Sequence, residues 1–247
     1  MLLLLASCLL VGIFIGAVGI GGVLLVPSLM LFAHLSVHQA AATALFSFLF
    51  TGMLGGWLFS RRGSIDWKVA GPVCAGAFLL SFAGAAAGSE VPAAILMWII
   101  AAILLGAGLY ILFPNWRQSS SPKGHPDRRS LGPLLGIGAV SGFGAGISGA
   151  GGPLFSVPIM LALQFDALAA VGTGQVVQIA SSLSGSLGNM SYGSIQYGLA
   201  LPVTVAELIG TLLGVRIAHA VRGDQLRVAA ALLCIVSAIG MAAKTVF

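Results

Sequence analysis

Two glycine clusters are the stretches of this sequence whose backbone could bind a ligand. The first is GAVGIGGV, starting at Gly16, and the second is GISGAGGP, starting at Gly146. Each lies within a long apolar segment, where glycine at this density disfavours a continuous helix. A helix that restarts after such a break has free N–H groups and the positive end of its dipole, which attract an anion. The candidate contact residues are Gly19, Gly21, Gly22, Gly149, Gly151 and Gly152.

Five polar side chains near the clusters could contact the same ligand. They are Thr43, Ser148, Thr173, Gln175 and Gln178. The two glutamines are three residues apart and therefore share a helix face. An amide buried in a membrane needs a hydrogen-bond partner, and either a ligand oxygen or a neighbouring helix can supply one. We predict a substrate site, and interhelical hydrogen bonding remains the alternative for each side chain.

Glu207 is an isolated carboxylate in the middle of an apolar segment. A carboxylate is costly within a membrane, so its presence favours a functional role. We predict that Glu207 carries a coupling proton. The alternative is a structural hydrogen bond to a backbone amide or a serine hydroxyl.

The composition indicates a membrane protein. Of 247 residues, 58% are hydrophobic and only 7% are charged, too few to cover so much apolar surface in water. The basic residues lie between apolar segments and no aromatic residues alternate with them, which argues against nucleic-acid binding. Cys8, Cys74 and Cys234 are far apart, so neither a metal site nor a disulfide framework is predicted, and there is no cofactor motif.

Eight apolar segments predict an all-α polytopic fold. Six are close to the ~20 residues that span a bilayer as a helix, and the first and fifth are longer and contain the glycine clusters. The segments are Leu2–Ala33, Gln39–Ser60, Val69–Gly88, Pro92–Phe113, Leu131–Leu163, Ala167–Asn189, Tyr197–His219 and Leu226–Val246.

The two halves of the chain resemble each other at a constant offset of 130 residues. This offset carries Gly12 to Gly142, Thr43 to Thr173 and every glycine from Gly16 to Gly22 onto a glycine of the second cluster. An internal duplication follows, which is a common feature of secondary transporters. We predict a first transmembrane repeat over 1–113, a polar cytoplasmic linker over 114–130 and a second transmembrane repeat over 131–247.

The basic residues favour an inverted relation between the repeats. If each long segment is a re-entrant hairpin, Arg61, the linker and Arg222 all lie on one side, as the positive-inside rule requires. If each long segment crosses once, the repeats are parallel and Arg222 lies outside. We therefore predict two inverted repeats, each starting with a glycine-broken re-entrant segment.

Close helix packing or a protease loop could also account for some of the glycines. Spaced pairs such as Gly12 and Gly16 are typical of close helix packing in membranes. The sequence Gly146-Ile147-Ser148-Gly149 matches the G-x-S-G of rhomboid-type intramembrane serine proteases, and His219 lies downstream. Because His219 is at a segment end, we expect it to be out of reach of Ser148, and the protease remains a minor alternative.

At these residues the chain resembles the sulfite exporter TauE/SafE family over essentially its whole length. The resemblance rests on the repeated glycine patterns, each followed by a threonine near the start of the next segment. It implies a multi-pass inner-membrane transporter of a small sulfur-containing anion such as sulfite, a sulfonate or sulfoacetate. A carboxylate is the alternative substrate. The expected partners are the anion and the lipid bilayer, and a homo-oligomer is compatible with the sequence.

Overall fold

The computed structural model describes residues 1–88, 92, 98, 101–102, 105–106, 108–109, 111–112, 130–192 and 195–246. Nine helices and no strand occur in the continuous parts of this range. They are α1 (Leu2–Val18), α2 (Gly22–Phe32), α3 (Val37–Arg61), α4 (Trp67–Gly88), α5 (Leu131–Ser148), α6 (Pro153–Ala162), α7 (Ala167–Tyr192), α8 (Tyr197–Ala220) and α9 (Gly223–Val246).

Five of the described helices are long and apolar enough to cross a membrane: α3, α4, α5, α8 and α9. The prediction of an all-helical polytopic membrane protein is therefore confirmed. Of the predicted linker, only Ser130 belongs to the described residues, and the segment Pro92–Phe113 is described only at isolated positions. The division into 1–113, 114–130 and 131–247 thus stays a prediction.

Both glycine clusters interrupt a helix. α1 ends at Val18, and Gly19 follows with a φ of 77°; α5 ends at Ser148, and Gly149 follows with a φ of 67°. A left-handed residue at this position is a common way to end a helix, and glycine adopts it without strain. Pro153 is the first residue of α6. Proline suits this position because the first N–H of a helix has no intrahelical partner, so none is lost. In the first half, α2 begins at Gly22 and Pro27 lies further inside it.

The chain reverses direction after each break. In an unbroken helix Gly21 would lie about 15 Å from Val11, at 1.5 Å per residue. Instead, a Cβ atom on Gly21 would fall 2.6 Å from the Val11 carbonyl oxygen. In the second half, Gly144 of α5 packs against the ring of Phe155 of α6. Each pair of helices, α1 with α2 and α5 with α6, is therefore a hairpin.

The two longest helices, α3 and α7, cross in opposite directions. The hydroxyl of Thr43, early in α3, accepts a hydrogen bond from the amide of Gln196, which follows α7. At the other ends, Gly172 early in α7 packs against Phe59 late in α3. We call the two sides of the molecule the Gln196 face and the Phe59 face. Accordingly α3 starts at the Gln196 face, and α7 starts at the Phe59 face.

The remaining contacts place each hairpin on one face. Helix α1 runs parallel to α8, which starts at the Gln196 face, since Gly12 packs on Glu207 and Gly16 packs on Thr211. Helix α5 runs parallel to α4, which starts at the Phe59 face just after α3 ends. Both ends of the α1–α2 hairpin therefore lie at the Gln196 face. Both ends of the α5–α6 hairpin lie at the Phe59 face.

Glycines allow these helix pairs to approach within backbone contact. A Cβ atom on Gly12 would collide with the carbonyl oxygen of Glu207, and one on Gly142 would collide with that of Ala77. Close approach through small residues is the usual way in which membrane helices associate. A packing role for Gly12 and Gly16 is thus the one that the structure supports.

Candidate functional site

The two helix breaks touch each other. Gly22, at the start of α2, lies against the carbonyl oxygen of Ala150 in the second break. The ring of Phe48 packs on this contact: its atoms lie 2.9 Å from the Cβ position of Gly22 and 3.3 Å from that of Gly151. Phe48 is near the middle of the 25-residue helix α3, which is about 37 Å long. The contact between the breaks therefore lies about half-way between the two faces.

Backbone donors at the two breaks are used differently. In the second break, Ala150 N donates to Ser148 Oγ at 3.2 Å, and Gly152 N donates to Ser181 Oγ at 3.2 Å. In the first break, the amides of Gly21 and Gly22 donate to no other described residue. We expected both breaks to offer free amides. In the second break serine hydroxyls accept from two of the amides, and only Gly151 keeps an amide without a partner among the described residues.

Gly19 and Gly149, which were also predicted to contact the ligand, instead end helices α1 and α5. Gly19 N donates to Ile15 O and Gly149 N donates to Ala145 O, both at 2.9 Å. Because these amides complete the ends of α1 and α5, neither is available to a ligand. The remaining predicted glycine, Gly151, has a φ of 84° beside the Phe48 ring.

Gln175 and Gln178 both connect α7 to the first half of the chain. Gln175 Nε2 donates to Ile15 O at 2.7 Å, close to the end of α1. Gln178 Nε2 donates to Thr51 Oγ1 at 2.8 Å and to Phe48 O at 3.1 Å. Both side chains are buried, and Gln175 Oε1 has no hydrogen-bond partner among the described residues. Gln178 is thus an interhelical link, whereas Gln175 keeps an acceptor free.

The paired threonines are both buried but differ in their partners. Thr43 Oγ1 is bonded to Gln196 at the Gln196 face. Thr173 Oγ1, although only 1% of the residue is exposed, has no partner within the described chain. An unbonded buried hydroxyl is unfavourable unless something else bonds to it. Thr173 remains a candidate for ligand contact, and Thr43 has a structural bond.

Glu207 lies on α8, away from the breaks. It is fully buried, with Cys8 of α1 and Ser47 of α3 facing it. The Ser47 hydroxyl donates to Ala44 O at 2.9 Å and also lies within interaction range of the carboxylate, whose oxygens make no other hydrogen bond among the described residues. A serine partner of the kind that we considered as an alternative is therefore close to Glu207, and both roles stay open.

Ser148 and His219 do not form a catalytic pair. Ser148 Oγ donates to Gly144 O at 2.6 Å within α5. His219, on α8, is bonded through Nε2 to Ser64 Oγ at 3.1 Å and through Nδ1 to Val215 O at 2.8 Å. With both histidine nitrogens engaged elsewhere, the arrangement that Ser–His chemistry requires is not formed.

Two residues of this site were missed in the sequence. Phe48 packs on both breaks, and Ser181 bonds the amide of Gly152. The spacing of Ser181 offered a signal, because it lies three residues after Gln178 and so shares its helix face. Phe48 offered none, since phenylalanine is common in apolar helices.

A sequence comparison that covers nearly the whole chain shows its family. Residues 4–241 match the sequence profile of the sulfite exporter TauE/SafE family. The chain belongs to this family. TauE/SafE proteins are membrane transporters, so the chain is a transporter and not an enzyme.

Relatives within the TauE/SafE family support the same conclusion. The chain is 30% identical to the probable membrane transporter protein YdhB of Bacillus subtilis over 225 residues, which cover 87% of this chain and 89% of YdhB. It is 26% identical to the probable membrane transporter protein YunE of the same organism, over 83% of this chain and 85% of YunE. A third relative, the probable membrane transporter protein MJ0441 of Methanocaldococcus jannaschii, is 22% identical over 92% of this chain and 91% of the relative. No solved structure matches the chain.

Proposed function

We propose that this TauE/SafE protein moves a small sulfur-containing anion, such as sulfite, a sulfonate or sulfoacetate, across the inner membrane by alternating access. The observation that carries the proposal is the pair of unbonded amides at Gly21 and Gly22, half-way through the molecule and against the second break. A sulfite or sulfonate group has several acceptor oxygens and suits convergent N–H donors. The substrate named in the family's description points to the same class.

The binding site in this proposal uses the broken backbone and nearby side chains. Gly21 and Gly22 donate to the anion, and the start of α2 adds the positive end of a helix dipole. The Thr173 hydroxyl, which is unbonded, and the second N–H of Gln175 Nε2 are the side-chain donors to the anion. This arrangement binds an anion without a buried lysine or arginine, which would be costly in a membrane.

Alternating access is proposed to follow from two inverted repeats. In support, Gly12 packs on Glu207 as Gly142 packs on Ala77, and both pairs are related by the offset of 130 residues. The hairpins enter from opposite faces, and the equivalent helices α3 and α7 are antiparallel. Such re-entrant pairs can expose one central site to either side in turn.

We assign the Phe59 face to the cytoplasm. Arg62 lies there with its Nη1 donating to Val215 O, and Arg227, near the start of α9, donates to Phe165 O. The positive-inside rule favours this orientation. It places the polar linker over 114–130 in the cytoplasm. In this scheme Glu207 is the coupling residue and exchanges a proton with solvent.

Thermal unfolding of the detergent-purified protein tests the proposal. Sulfite, taurine, sulfoacetate, sulfate and matched carboxylates are added one at a time. We expect sulfite or one sulfonate to raise the Tm, since a ligand that binds only the folded state stabilises it. Stabilisation by a carboxylate alone would support the alternative substrate class. If no anion changes the Tm, and liposomes containing the protein take up no labelled sulfite or sulfonate, the proposal is wrong.

A further inference from the structure

Helices α3 and α8 lie side by side at the surface of the molecule. Both start at the Gln196 face, so they run in parallel. Near their starts, the rings of Phe46 and Tyr197 are 5.7 Å apart. At their ends, Arg62 Nη1 donates to Val215 O at 3.4 Å. The two helices are therefore adjacent from one face of the molecule to the other.

Each of these helices carries a stripe of exposed side chains that ends in an arginine. The spacings are three and four residues, so each stripe follows one side of its helix. The stripe of α3 consists of Phe50, Met53, Trp57 and Arg61. The stripe of α8 consists of Leu201, Val205, Ile209, Leu212 and Arg216. We call the two stripes together the α3–α8 surface.

The two stripes adjoin near the Gln196 face. Phe46 is about one turn before Phe50 and continues the stripe of α3. Tyr197 is about one turn before Leu201 and continues the stripe of α8. The contact between their rings therefore joins the stripes. From Phe50 to Arg61 the surface extends about 16 Å at 1.5 Å per residue, which is close to half of the ~30 Å hydrocarbon core and so to one leaflet.

Three arginines meet where the α3–α8 surface reaches the Phe59 face. Arg62 is bonded to Val215. Arg61 precedes the first of these residues and Arg216 follows the second. All three arginines are exposed, and none makes an ion pair within the described chain. The Arg61 guanidinium lies 4.5 Å from the ring centre of Trp57, a residue type that is enriched at membrane interfaces.

This unbalanced charge decides among the possible occupants of the surface. A second copy of the chain in the same membrane has its arginines at the same depth, so like charges would meet. A zwitterionic lipid carries a positive group of its own beside the phosphate. An anionic phospholipid supplies a phosphate without that group, which suits the planar N–H fork of arginine, and acyl chains that cover the apolar stripes.

We infer that an anionic phospholipid binds along the α3–α8 surface. Its phosphate lies between Arg61, Arg62 and Arg216, and an acyl chain lies over Trp57 and Phe50. Basic clusters beside membrane helices attract anionic headgroups, and here the apolar stripes add a place for the chain. This inference goes beyond the proposed function and does not depend on it.

Quenching of Trp57 fluorescence by brominated lipids tests this site. Trp67, Trp98 and Trp116 are replaced by phenylalanine, which leaves Trp57 as the only tryptophan. The protein is reconstituted in phosphatidylcholine vesicles with a small, equal fraction of either dibrominated phosphatidylglycerol or dibrominated phosphatidylcholine. We expect phosphatidylglycerol to quench more strongly, with a relative binding constant of about ten or more.

Substitutions of single arginines separate this site from the general charge of the face. Arg61→Gln and Arg216→Gln should each lower the preference for phosphatidylglycerol about fivefold, the contribution of one basic residue near a membrane surface. Arg222→Gln is the control, because Arg222 is exposed at the same face but outside both stripes, and it should keep the preference. Quenching by dibrominated phosphatidylcholine should be equal in all variants, which shows that Trp57 still faces lipid.

Equal quenching by the two lipids would overturn the lipid site, as would a preference that neither Arg61→Gln nor Arg216→Gln reduces. If Arg61→Gln disturbs the Trp57 ring itself, Arg216→Gln alone decides, because it leaves that contact in place. If inorganic phosphate in place of chloride at equal ionic strength removes the preference, the arginines bind a free phosphate and the lipid assignment is wrong. Anion-dependent stabilisation tests the proposed function separately.

Discussion

Gly22 of α2 lies directly against the backbone carbonyl of Ala150, so the two helix breaks pack on each other through their main chains. No side chain larger than hydrogen fits between them, because the ring of Phe48 closes the same space. The geometry of each break thus depends on the other. A ligand bound to the amides of one hairpin is in a position to affect the other hairpin.

The first prediction concerns the fit at Gly22. Gly22→Ala would bring a methyl group onto the Ala150 oxygen and the Phe48 ring. Overpacking of this kind costs about 1–3 kcal/mol. We expect a lower Tm in detergent and loss of anion-dependent stabilisation.

A matched control is Gly136→Ala on α5. Gly136 is exposed and has no atom near its Cβ position, so alanine should be neutral or stabilise the helix by up to about 1 kcal/mol. Equal Tm values and equal anion responses in the two variants would contradict the close contact of the breaks.

The second prediction tests the equivalence of the two halves. Gly12→Ala should push α1 from the backbone of Glu207, and Gly142→Ala should push α5 from that of Ala77. Since both substitutions meet a backbone oxygen, which cannot rotate away, we expect each to lower the Tm by a similar amount, for a loss of about 1–3 kcal/mol. A large effect in one variant beside a neutral effect in the other would argue against equivalent repeats.

The sequence predicts the breaks but not their contact. Helix interruption is a local property, so the density of glycine between Gly16 and Gly22 is enough to predict it. The packing of Gly22 on Ala150 joins residues far apart in the chain, and no local pattern specifies such a pair. The same holds for Ser181, whose bond to Gly152 requires α6 and α7 to be already adjacent.

Helix faces are also hard to predict here. The spanning helices are apolar all round, because one side faces lipid and the other faces protein, so periodicity does not reveal the buried face. Polar residues were more informative: Gln175, Gln178 and Glu207 were each expected to be buried and are. Their hydrogen-bond partners could not be derived from the sequence. The sequence therefore could not show that Gln178 links α7 to α3.

The third prediction separates the paired threonines. Thr173→Val removes a hydroxyl that has no partner among the described residues, so stability should be unchanged or slightly higher. If the protein binds the proposed anion, we expect its affinity to fall about tenfold, the effect of losing one hydrogen bond of about 1.4 kcal/mol.

Thr43→Val is the corresponding control, because Thr43 has a structural bond to Gln196. It should lower stability by about 1 kcal/mol and leave anion affinity unchanged. Anion titrations followed by Tm measure both quantities. The reverse result, with affinity lost in Thr43→Val and kept in Thr173→Val, would exclude Thr173 from the site.

The fourth prediction concerns the orientation of the hairpins. Cys8, Cys74 and Cys234 are replaced by alanine, and single cysteines are introduced as His38→Cys and Gly223→Cys. His38 is exposed near the start of α3 and Gly223 starts α9, at opposite faces of the molecule. We expect a membrane-impermeant maleimide to label His38→Cys in intact spheroplasts and Gly223→Cys only after permeabilisation. Labelling of both from the same side would contradict the topology.

The fifth prediction uses the difference between the two breaks. Ser181 Oγ accepts a hydrogen bond from Gly152 N, so Ser181→Ala would leave that amide unbonded, as Gly21 and Gly22 already are. We expect the loss of this buried bond to cost about 1–3 kcal/mol in the absence of ligand. If the anion bridges both breaks, it then gains a donor, and saturating anion should raise the Tm of Ser181→Ala by more than that of the unaltered protein.

Ser182→Ala is the control, since its buried hydroxyl has no partner among the described residues and its removal should change neither value. A Tm deficit in Ser181→Ala that stays the same at every anion concentration would restrict the anion to the first break.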